Sequence, residues 1–350
     1  MAGTKAESSR GRVAELDALR GLAALAVALF HLTSYIHVKV PGTPPAPLNF
    51  AYGYFGVQLF FAISGFVILM TLQGTARAAD FVRGRFLRLF PLYWIAMAIT
   101  ATVVAAIGPT GLAVARTAVA PNILMIQFFF NIESIDGSYW SLCVELAFYA
   151  WMLAFWRLRL LDRIESVAIV WLAFNALWAL GIDLPRPLEV LLIRDQLPWF
   201  ALGIAAYRVR AGQRQWFEQL PLVAVAFATV VLVDEAVTTA VFVALAAAMA
   251  AVAAGRMDRL AVAPLLWLGA ISYPLYLVHQ YIGYSVIGRM EALGMPAGVA
   301  TLAALVAAIA LAAVLHHRIE LPLGRVRRGL ARPRAGANVV TLTASTQKAA

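Results

Sequence analysis

The sequence has little charge and a single cysteine. Charged residues make up 13% of its 350 residues, apolar residues make up 62%, and the mean hydropathy is +0.80. Soluble domains contain about 25% charged residues, so a water-soluble protein is excluded. Cys143 has no partner for an internal disulfide, and five histidines beside one cysteine form no metal-ligand cluster. We therefore expect neither a disulfide nor a bound metal.

The apolar residues stand in blocks long enough to cross a bilayer, which takes about 20 helical residues. They predict an all-α bundle of about ten spans, at residues 15–37, 53–73, 86–107, 139–158, 166–181, 190–209, 218–233, 236–254, 265–288 and 297–317. The apolar stretch 111–131 contains Pro121, Asn122 and Gln127, which favours an interfacial or re-entrant segment. The predicted parts are an N-terminal tail (1–14), a transmembrane domain (15–322) and a disordered C-terminal tail (323–350).

The lysines and arginines predict the orientation of these spans. With the N-terminus inside, the inner tails and loops hold 22 of the 28 basic residues and the outer segments hold five. Cytoplasmic loops carry such an excess of Lys and Arg, so both termini are predicted in the cytoplasm of a multi-pass protein of the cell (inner) membrane. The net charge of +10 then needs no nucleic-acid partner.

The first span contains three ionisable residues: Asp17, Arg20 and His31. Arg20 and His31 are eleven residues apart, which places them on one stripe of a helix, about 16 Å apart along its axis. Asp17 lies one turn before Arg20 and can pair with it. Charged residues inside spans usually mark function. The alternative is that Arg20 anchors the cytoplasmic end and His31 bonds to a neighbouring helix.

Two further groups of ionisable residues occur in the first half of the chain. Arg83, Arg85 and Arg88 come just before Tyr93 and Trp94 at the start of a predicted span. Arginines at such a position can bind phosphate groups, or they can simply keep this end of the span in the cytoplasm. Glu145 lies inside the fourth span and needs a partner or a watery cavity, because an unpaired buried carboxylate is costly. It can equally form a structural hydrogen bond to another helix.

Weaker candidates lie mainly in the C-terminal half. His279 can be a packed core histidine, and Glu320 can pair with Arg318 or with a loop arginine. The further candidate site residues are Ser64, Trp140, Ser141, Ser272, Tyr273, His279 and Glu320.

Six motifs together resemble the acyltransferase-3 family of bacterial integral-membrane O-acyltransferases. They are LDALRGLAALAVALFHL (16–32), GYFGVQLFFAISGFVI (53–68), RFLRLFPLYW (85–94), SYWSLCVELAFY (138–149), LGAISYPLYLVHQ (268–280) and RIELP (318–322). Each is modest alone, but they occur in family order over nearly the whole chain. The family's pattern of a basic residue, ten residues and a histidine falls on Arg20 and His31. Its paired arginines fall on Arg85 and Arg88.

The resemblance implies transfer of an acyl group, commonly acetyl, from acyl-CoA to a hydroxyl of a carbohydrate, glycolipid or exported glycan of the cell envelope. Acyl-CoA would be a donor substrate, with no permanently bound cofactor. We expect His31 to be the general base, because the pKa of histidine suits that role. Arg20 would bind the donor or polarise the thioester, held by Asp17, and Glu145 would orient His31 or bind the acceptor. The arginines at 83, 85 and 88 would hold CoA phosphates.

A transporter or an acyl carrier is the competing interpretation. Intramembrane Arg, His and Glu residues also build substrate and proton pathways. Transporters often show inverted repeats and broken half-helices, and neither is evident in this sequence. Release of free CoA from acetyl-CoA would distinguish an enzyme from a carrier. The acceptor, the acyl chain length and the oligomeric state are not encoded in any motif that we identify.

Overall fold

The computed structural model describes residues 13–176 and 184–330, and within these ranges the chain is helical with no strand. The predicted all-α class is therefore confirmed for the described residues. Three parts of the predictions lie outside the described residues. They are the N-terminal tail up to residue 12, the end of the predicted fifth span, and residues 331–350. The helices are joined mostly by short turns.

The first half of the chain forms three long helices and two shorter ones. The segment 108–139 contains short helical turns such as Val119–Ile123, so it is not a continuous span, as its Pro and Asn residues predict. Asn122 folds this segment by bonding the main chain of Ala118, Glu133 and Ile135. The helices are α1 (Ala14–Lys39), α2 (Ala51–Gln73), α3 (Ala78–Ile107), α4 (Trp140–Arg157) and α5 (Ile164–Ala176).

The second half contains shorter helices and one long C-terminal helix. The helix Leu321–Leu330 overlaps the start of the tail predicted at residues 323–350. The helices are α6 (Arg186–Leu191), α7 (Leu197–Arg210), α8 (Trp216–Val233), α9 (Ala236–Ala253), α10 (Ala263–Ala270), α11 (Ser272–Val278), α12 (Gln280–Ala292), α13 (Ala297–Leu315) and α14 (Leu321–Leu330).

Six helical segments of the described chain are long and apolar enough to cross a membrane. They are α1, α2, α3, α8, α9 and the segment Ala297–Arg325. The bent pair α4 and α5, inclined at 112°, adds a seventh if it is counted as one broken span. The chain is thus a multi-pass membrane protein, and the count of about ten spans stays a prediction. The predicted ninth span is divided into α10, α11 and α12. Pro274 contributes to the first break, because it has no N–H to donate and crowds the carbonyl four residues earlier.

The helix α1 lies in the interior of the bundle, between α2, α10 and α11. Small residues allow this close packing. A Cβ atom added to Gly269 would collide with the main-chain oxygen of Asp17, and one added to Gly21 would lie 2.6 Å from the nitrogen of Gly269. Such small-residue contacts let helices approach closely in membranes. They press the charged end of α1 against α10, which places Asp17 and Arg20 inside the protein.

Candidate active site

Two π-helical turns lie beside the predicted functional residues. One follows the first part of α1 at His31–Tyr35, and the other joins α13 to α14 at His316–Glu320. A π-turn inserts a residue into an α-helix and so changes which side chains face inward, and such turns are frequent at functional sites. Here they place His31 and Glu320 on the interior side of their helices, where both line cavities.

Three cavities follow one another through the bundle. The inner cavity, about 300 Å³, lies at the Ala14 end of α1, the middle cavity is about 60 Å³, and the outer cavity, about 430 Å³, lies at the Lys39 end. Arg20 and Arg88 line both the inner and the middle cavity. Val57 and Tyr276 line both the middle and the outer cavity. The three cavities therefore form a series from one end of α1 to the other.

Two pairs of ionisable side chains line the inner cavity. Arg20 lies 3.9 Å from Asp17, the pairing that the helical spacing predicts. On the opposite wall, Nδ1 of His316 lies 2.7 Å from the carboxylate of Glu320. Arg318 or a loop arginine was expected as the partner of Glu320. The hydrogen bond that the structure shows is to His316, four residues earlier along the chain. The cavity thus combines two arginines, from α1 and α3, with two carboxylates that each have a nearby partner.

The middle cavity is built around Glu145. Its carboxylate accepts hydrogen bonds from Ser64, at 2.7 Å, and from Tyr149. The guanidinium groups of Arg20 and Arg88 face the same cavity, so the charge of this carboxylate is compensated inside the bundle. Sequence reasoning missed Tyr149, although it stands one turn after Glu145 on the same helix.

Hydroxyl groups complete the wall of the middle cavity, and they hold α11 against its neighbours. Ser141 shares a 2.6 Å hydrogen bond with the hydroxyl of Tyr276. Ser272 donates to the main-chain oxygen of Gly269, and Tyr273 donates to that of Leu89, both at 2.8 Å. The sequence candidates Ser64, Ser141, Ser272 and Tyr273 thus meet in one place.

The three arginines of the 83–88 segment separate in the structure. Arg88 lines the inner and middle cavities. Arg85 donates to the hydroxyl of Thr71 at 2.9 Å, and its guanidinium lies 5.6 Å from the ring centre of Tyr149, behind the cavity wall. Arg83 is exposed and lines none of the three cavities. Of the three, Arg88 is therefore the one placed to bind a ligand.

The outer cavity contains His31. Its Nδ1 lies 2.9 Å from Nε2 of His279, a fully buried residue. Glu145, which was expected as a possible orienting partner of His31, bonds to Ser64 and Tyr149 instead. The structure therefore gives His31 a histidine partner rather than a carboxylate.

The rest of the outer cavity combines aromatic rings with amides. Trp140, Tyr35 and Tyr54 contribute rings to its wall. Gln58 and Gln280 also line it, and the Oε1 atom of each is buried without a hydrogen-bond partner among the described residues. Buried amide oxygens without a partner are uncommon, because each costs about 1–3 kcal/mol. They point to a polar ligand or to water in this cavity.

A buried aspartate, Asp136, joins the start of α4 to α12 beside the outer cavity. It accepts hydrogen bonds from the main-chain N–H and hydroxyl of Ser138, just before α4, and from the N–H of Tyr281 in α12 at 2.9 Å. Burial raises the pKa of Asp136 to about 6, although these donors act in the opposite direction. Sequence reasoning missed Asp136. The available signal was an acidic residue directly before a helix, which is typical of an N-cap.

The fold and the cavities define a multi-pass membrane protein with ionisable groups buried along one passage. The family model of the acyltransferase-3 domain, described as an acyltransferase domain, matches residues 13–317, so the chain belongs to this family. The family that the six motifs predict is therefore confirmed.

Two relatives are similar over most of their length. Acyltransferase MdmB of Streptomyces mycarofaciens is 26% identical, and the match covers 90% of this chain and 92% of that protein. The exopolysaccharide production protein ExoZ of Rhizobium meliloti (strain 1021) is 26% identical over 81% of this chain and 93% of its own length. No solved structure matches the chain.

Two further relatives match over shorter segments. Protein 2 in the picA locus of Rhizobium radiobacter is 37% identical over 25% of this chain and 42% of its own length. Nodulation protein 10 of Rhizobium leguminosarum bv. viciae is 27% identical over 44% of this chain and 48% of its own. The chain thus spans less than half the length of these two relatives.

Proposed function

We propose that this enzyme transfers an acyl group, commonly acetyl, from acyl-CoA in the inner cavity to a hydroxyl of a carbohydrate, glycolipid or exported glycan in the outer cavity. The observation that carries the proposal is the order of groups along the passage. Arginines lie at one end, a narrow section lies in the middle, and a histidine lies at the other end. A long thioester donor and a bulky hydroxyl acceptor can then meet from opposite sides.

The inner cavity suits the CoA part of the donor. Arg88 and Arg20 project guanidinium groups that bind phosphates in two-point geometry. The axial distance of about 16 Å between residues 20 and 31 of one helix is too long for Arg20 to polarise a carbonyl held at His31. Arg20 is therefore assigned to donor binding and not to the reacting carbonyl. The donor is a substrate in this scheme, with no resident cofactor.

The outer cavity suits a sugar-bearing acceptor. Its aromatic rings offer flat apolar faces, and the partnerless amide oxygens of Gln58 and Gln280 can accept hydrogen bonds from hydroxyl groups. The relative named for exopolysaccharide production, ExoZ, supports a glycan acceptor.

His31 is assigned as the general base. Its Nε2 atom takes the proton of the acceptor hydroxyl while the oxygen attacks the thioester carbonyl carbon. The tetrahedral intermediate then collapses, the C–S bond breaks, and the proton on Nε2 passes to the departing CoA thiolate. The products are the ester and CoA with a free thiol. His31 returns to its starting state without a net change in charge.

Orientation follows the basic residues. We place both termini in the cytoplasm and count about ten spans of the inner membrane, which puts the inner cavity on the side that contains soluble CoA. The acceptor then enters from the opposite face.

The alternative of a transporter or an acyl carrier is supported by the same end-to-end series of cavities. The narrow middle cavity, about 60 Å³, disfavours a transporter of bulky solutes, and acceptor-dependent release of CoA distinguishes the transferase from an acyl carrier.

Release of CoA tests the proposal directly. Purified protein is incubated with acetyl-CoA, with and without a glycan acceptor, and the free thiol is titrated with a chromogenic thiol reagent. The sole cysteine, Cys143, is fully buried, so the folded protein adds little background.

The wild type should release CoA in proportion to acceptor, and His31→Ala should abolish this release while expression and insertion are retained. His37→Ala is the matched control, because this histidine of the same helix bonds to the main chain of Thr43 and lines none of the three cavities. Near-wild-type activity of His31→Ala would contradict the base assignment.

A further inference from the structure

Two histidine rings meet inside the bundle although 248 residues separate them in the sequence. Nδ1 of His31 and Nε2 of His279 are 2.9 Å apart, within hydrogen-bond distance. His279 has no solvent exposure, whereas His31 is half-buried and faces the outer cavity. One ring is thus available to a ligand, and the other supports it from inside the protein.

The surroundings of His279 determine which of its nitrogens carries hydrogen. Its Nδ1 lies 2.8 Å from the main-chain oxygen of Tyr276 and 3.1 Å from that of Leu275. A carbonyl oxygen only accepts hydrogen bonds, so Nδ1 must be the protonated nitrogen. A ring with both nitrogens protonated would be a buried cation, and no carboxylate of the described residues contacts it. His279 is therefore neutral, with a lone pair on Nε2.

That lone pair determines the tautomer of His31. Nε2 of His279 can only accept, so Nδ1 of His31 must donate the hydrogen that joins the two rings. The neutral ring of His31 then has its lone pair on Nε2. The main-chain oxygen of Val27, one turn earlier, also acts on the His31 ring as an acceptor. Nε2 of His31 forms no hydrogen bond with a side chain of the described residues, and the ring lines the outer cavity.

We infer that His279 is a positioning residue that keeps His31 in the tautomer able to act as a base. The inference rests on the proposed function of His31. In the opposite tautomer, Nε2 would carry hydrogen and would offer the acceptor hydroxyl a donor instead of a lone pair. When Nε2 takes the acceptor proton, the hydrogen on Nδ1 stays in its bond to His279, and His279 itself neither gains nor loses a proton.

Two substitutions at His279 separate positioning from support of the helix. An Asn side chain places its polar atoms near the position of Nδ1, so His279→Asn keeps a donor to the carbonyls of Leu275 and Tyr276 but leaves His31 without its acceptor. A Gln side chain reaches the position of Nε2, so His279→Gln keeps an acceptor for His31 and loses the bonds to the carbonyls.

The kinetic result expected is a fall in kcat of about 10²-fold for His279→Asn, within the range that general-base catalysis supplies. The KM for acetyl-CoA should stay within about threefold, because the inner cavity is untouched. His279→Gln should retain about a tenth or more of the activity. Full activity of His279→Asn, or a greater loss with Gln than with Asn, would overturn the inference.

Nitrogen NMR of ¹⁵N-histidine-labelled protein in lipid nanodiscs gives a readout that a merely structural role would not move. The chain has five histidines, and the signals of His31 are assigned by their absence in His31→Gln. Wild type and His279→Gln should show His31 protonated at Nδ1. His279→Asn should show hydrogen shifted to Nε2, and an unchanged tautomer there would overturn the inference.

His31→Ala separates this inference from the proposed function. If His31→Ala keeps its activity, the base assignment fails and the inference fails with it. If His31→Ala is inactive while both His279 variants match the wild type, only the inference fails.

Discussion

Ser64 donates a 2.7 Å hydrogen bond to the carboxylate of Glu145, which joins α2 to α4 across the middle cavity. Tyr149 donates to the same carboxylate from one turn further along α4. Arg20 and Arg88 line this cavity as well, so one carboxylate faces two guanidinium groups and two hydroxyls. Glu145 is thus the anionic centre of a buried cluster whose members come from α1, α2, α3 and α4.

Loss of this anionic centre should destabilise the protein. Glu145→Ala removes the shared acceptor of Ser64 and Tyr149, and a buried polar group left without a partner costs about 1–3 kcal/mol. It also removes a carboxylate that faces Arg88 and Arg20, although Arg20 keeps its pair with Asp17. Glu145→Gln keeps an acceptor oxygen for Ser64 and should cost less. A thiol-reactive dye reports thermal unfolding as the buried Cys143 becomes accessible. Equal stability of the wild type and Glu145→Ala would mean that the cluster contributes nothing to the fold.

The two arginines of the RFLR motif should differ in their effect on the donor. Arg88→Ala removes a guanidinium from the inner and middle cavities, so the KM for acetyl-CoA should rise by about tenfold or more, the loss of a charge-assisted hydrogen bond worth about 1.5–3 kcal/mol. Arg85→Ala should raise it less, because Arg85 bonds to Thr71 behind the wall.

Arg83→Ala is the control, since that side chain is exposed and should leave the KM unchanged. Initial rates at varied acetyl-CoA measure all three variants. If the three substitutions raised the KM for acetyl-CoA equally, the arginines would act through their charge in general and Arg88 would not form a specific binding site.

The sequence predicts contacts between side chains of one helix better than contacts between side chains of different helices. Helical periodicity predicted the pair Asp17 and Arg20, because both residues are on one turn. It also had the information to separate Arg83 from Arg88, which are about 140° apart around a helix. The motifs pointed to His31 and Glu145 as residues, but not to their partners.

Partners from distant segments could not be predicted from periodicity. His31 meets His279 across 248 residues, and Ser64 meets Glu145 across 81. These contacts depend on which helices pack together, and hydropathy gives span positions without neighbours. Glu320 is different, because its partner His316 lies four residues earlier in the same helical segment, a spacing at which helical periodicity predicts contact.

Topology can be tested without activity. A reporter that is active only in the cytoplasm, fused after residue 350, should give a signal if both termini are inside. The same reporter inserted at residue 44, in the loop between α1 and α2, should give none, because that loop is predicted outside. Opposite signals support the orientation of α1. With ten spans, an odd number of crossings separates residue 44 from the C-terminus, so the two positions lie on opposite sides of the membrane. The same result from both reporters would therefore contradict the ten-span count.

The hydrogen bonds that Asp136 accepts from Ser138 and Tyr281 should contribute to the stability of the fold more than to the rate of acyl transfer. Asp136→Ala removes the acceptor for Ser138 and for the N–H of Tyr281, which should cost about 1–3 kcal/mol. Asp136→Asn keeps one acceptor oxygen and should lie between the wild type and Asp136→Ala. Thermal unfolding followed at Cys143 measures the series. A stability of Asp136→Asn below that of Asp136→Ala would contradict the role of these hydrogen bonds.

Blocking the middle cavity should stop transfer while donor binding continues. Ser141 is 6% exposed and faces a space of about 60 Å³, which the larger side chain of Ser141→Leu would largely fill. Overpacking of this kind costs about 1–3 kcal/mol, which leaves the fold intact in a protein of ordinary stability. The acyl chain could then no longer pass from the arginines to His31.

The expected result is loss of acceptor-dependent CoA release, with acetyl-CoA still raising the melting temperature through the inner cavity. Intrinsic tryptophan fluorescence measures that temperature, since the thiol of released CoA would react with a thiol dye. Ser141→Ala removes the same hydroxyl without filling the space and should lose less activity than Ser141→Leu. If the rate of acyl transfer is the same for Ser141→Leu and Ser141→Ala, the acyl group does not travel through the middle cavity.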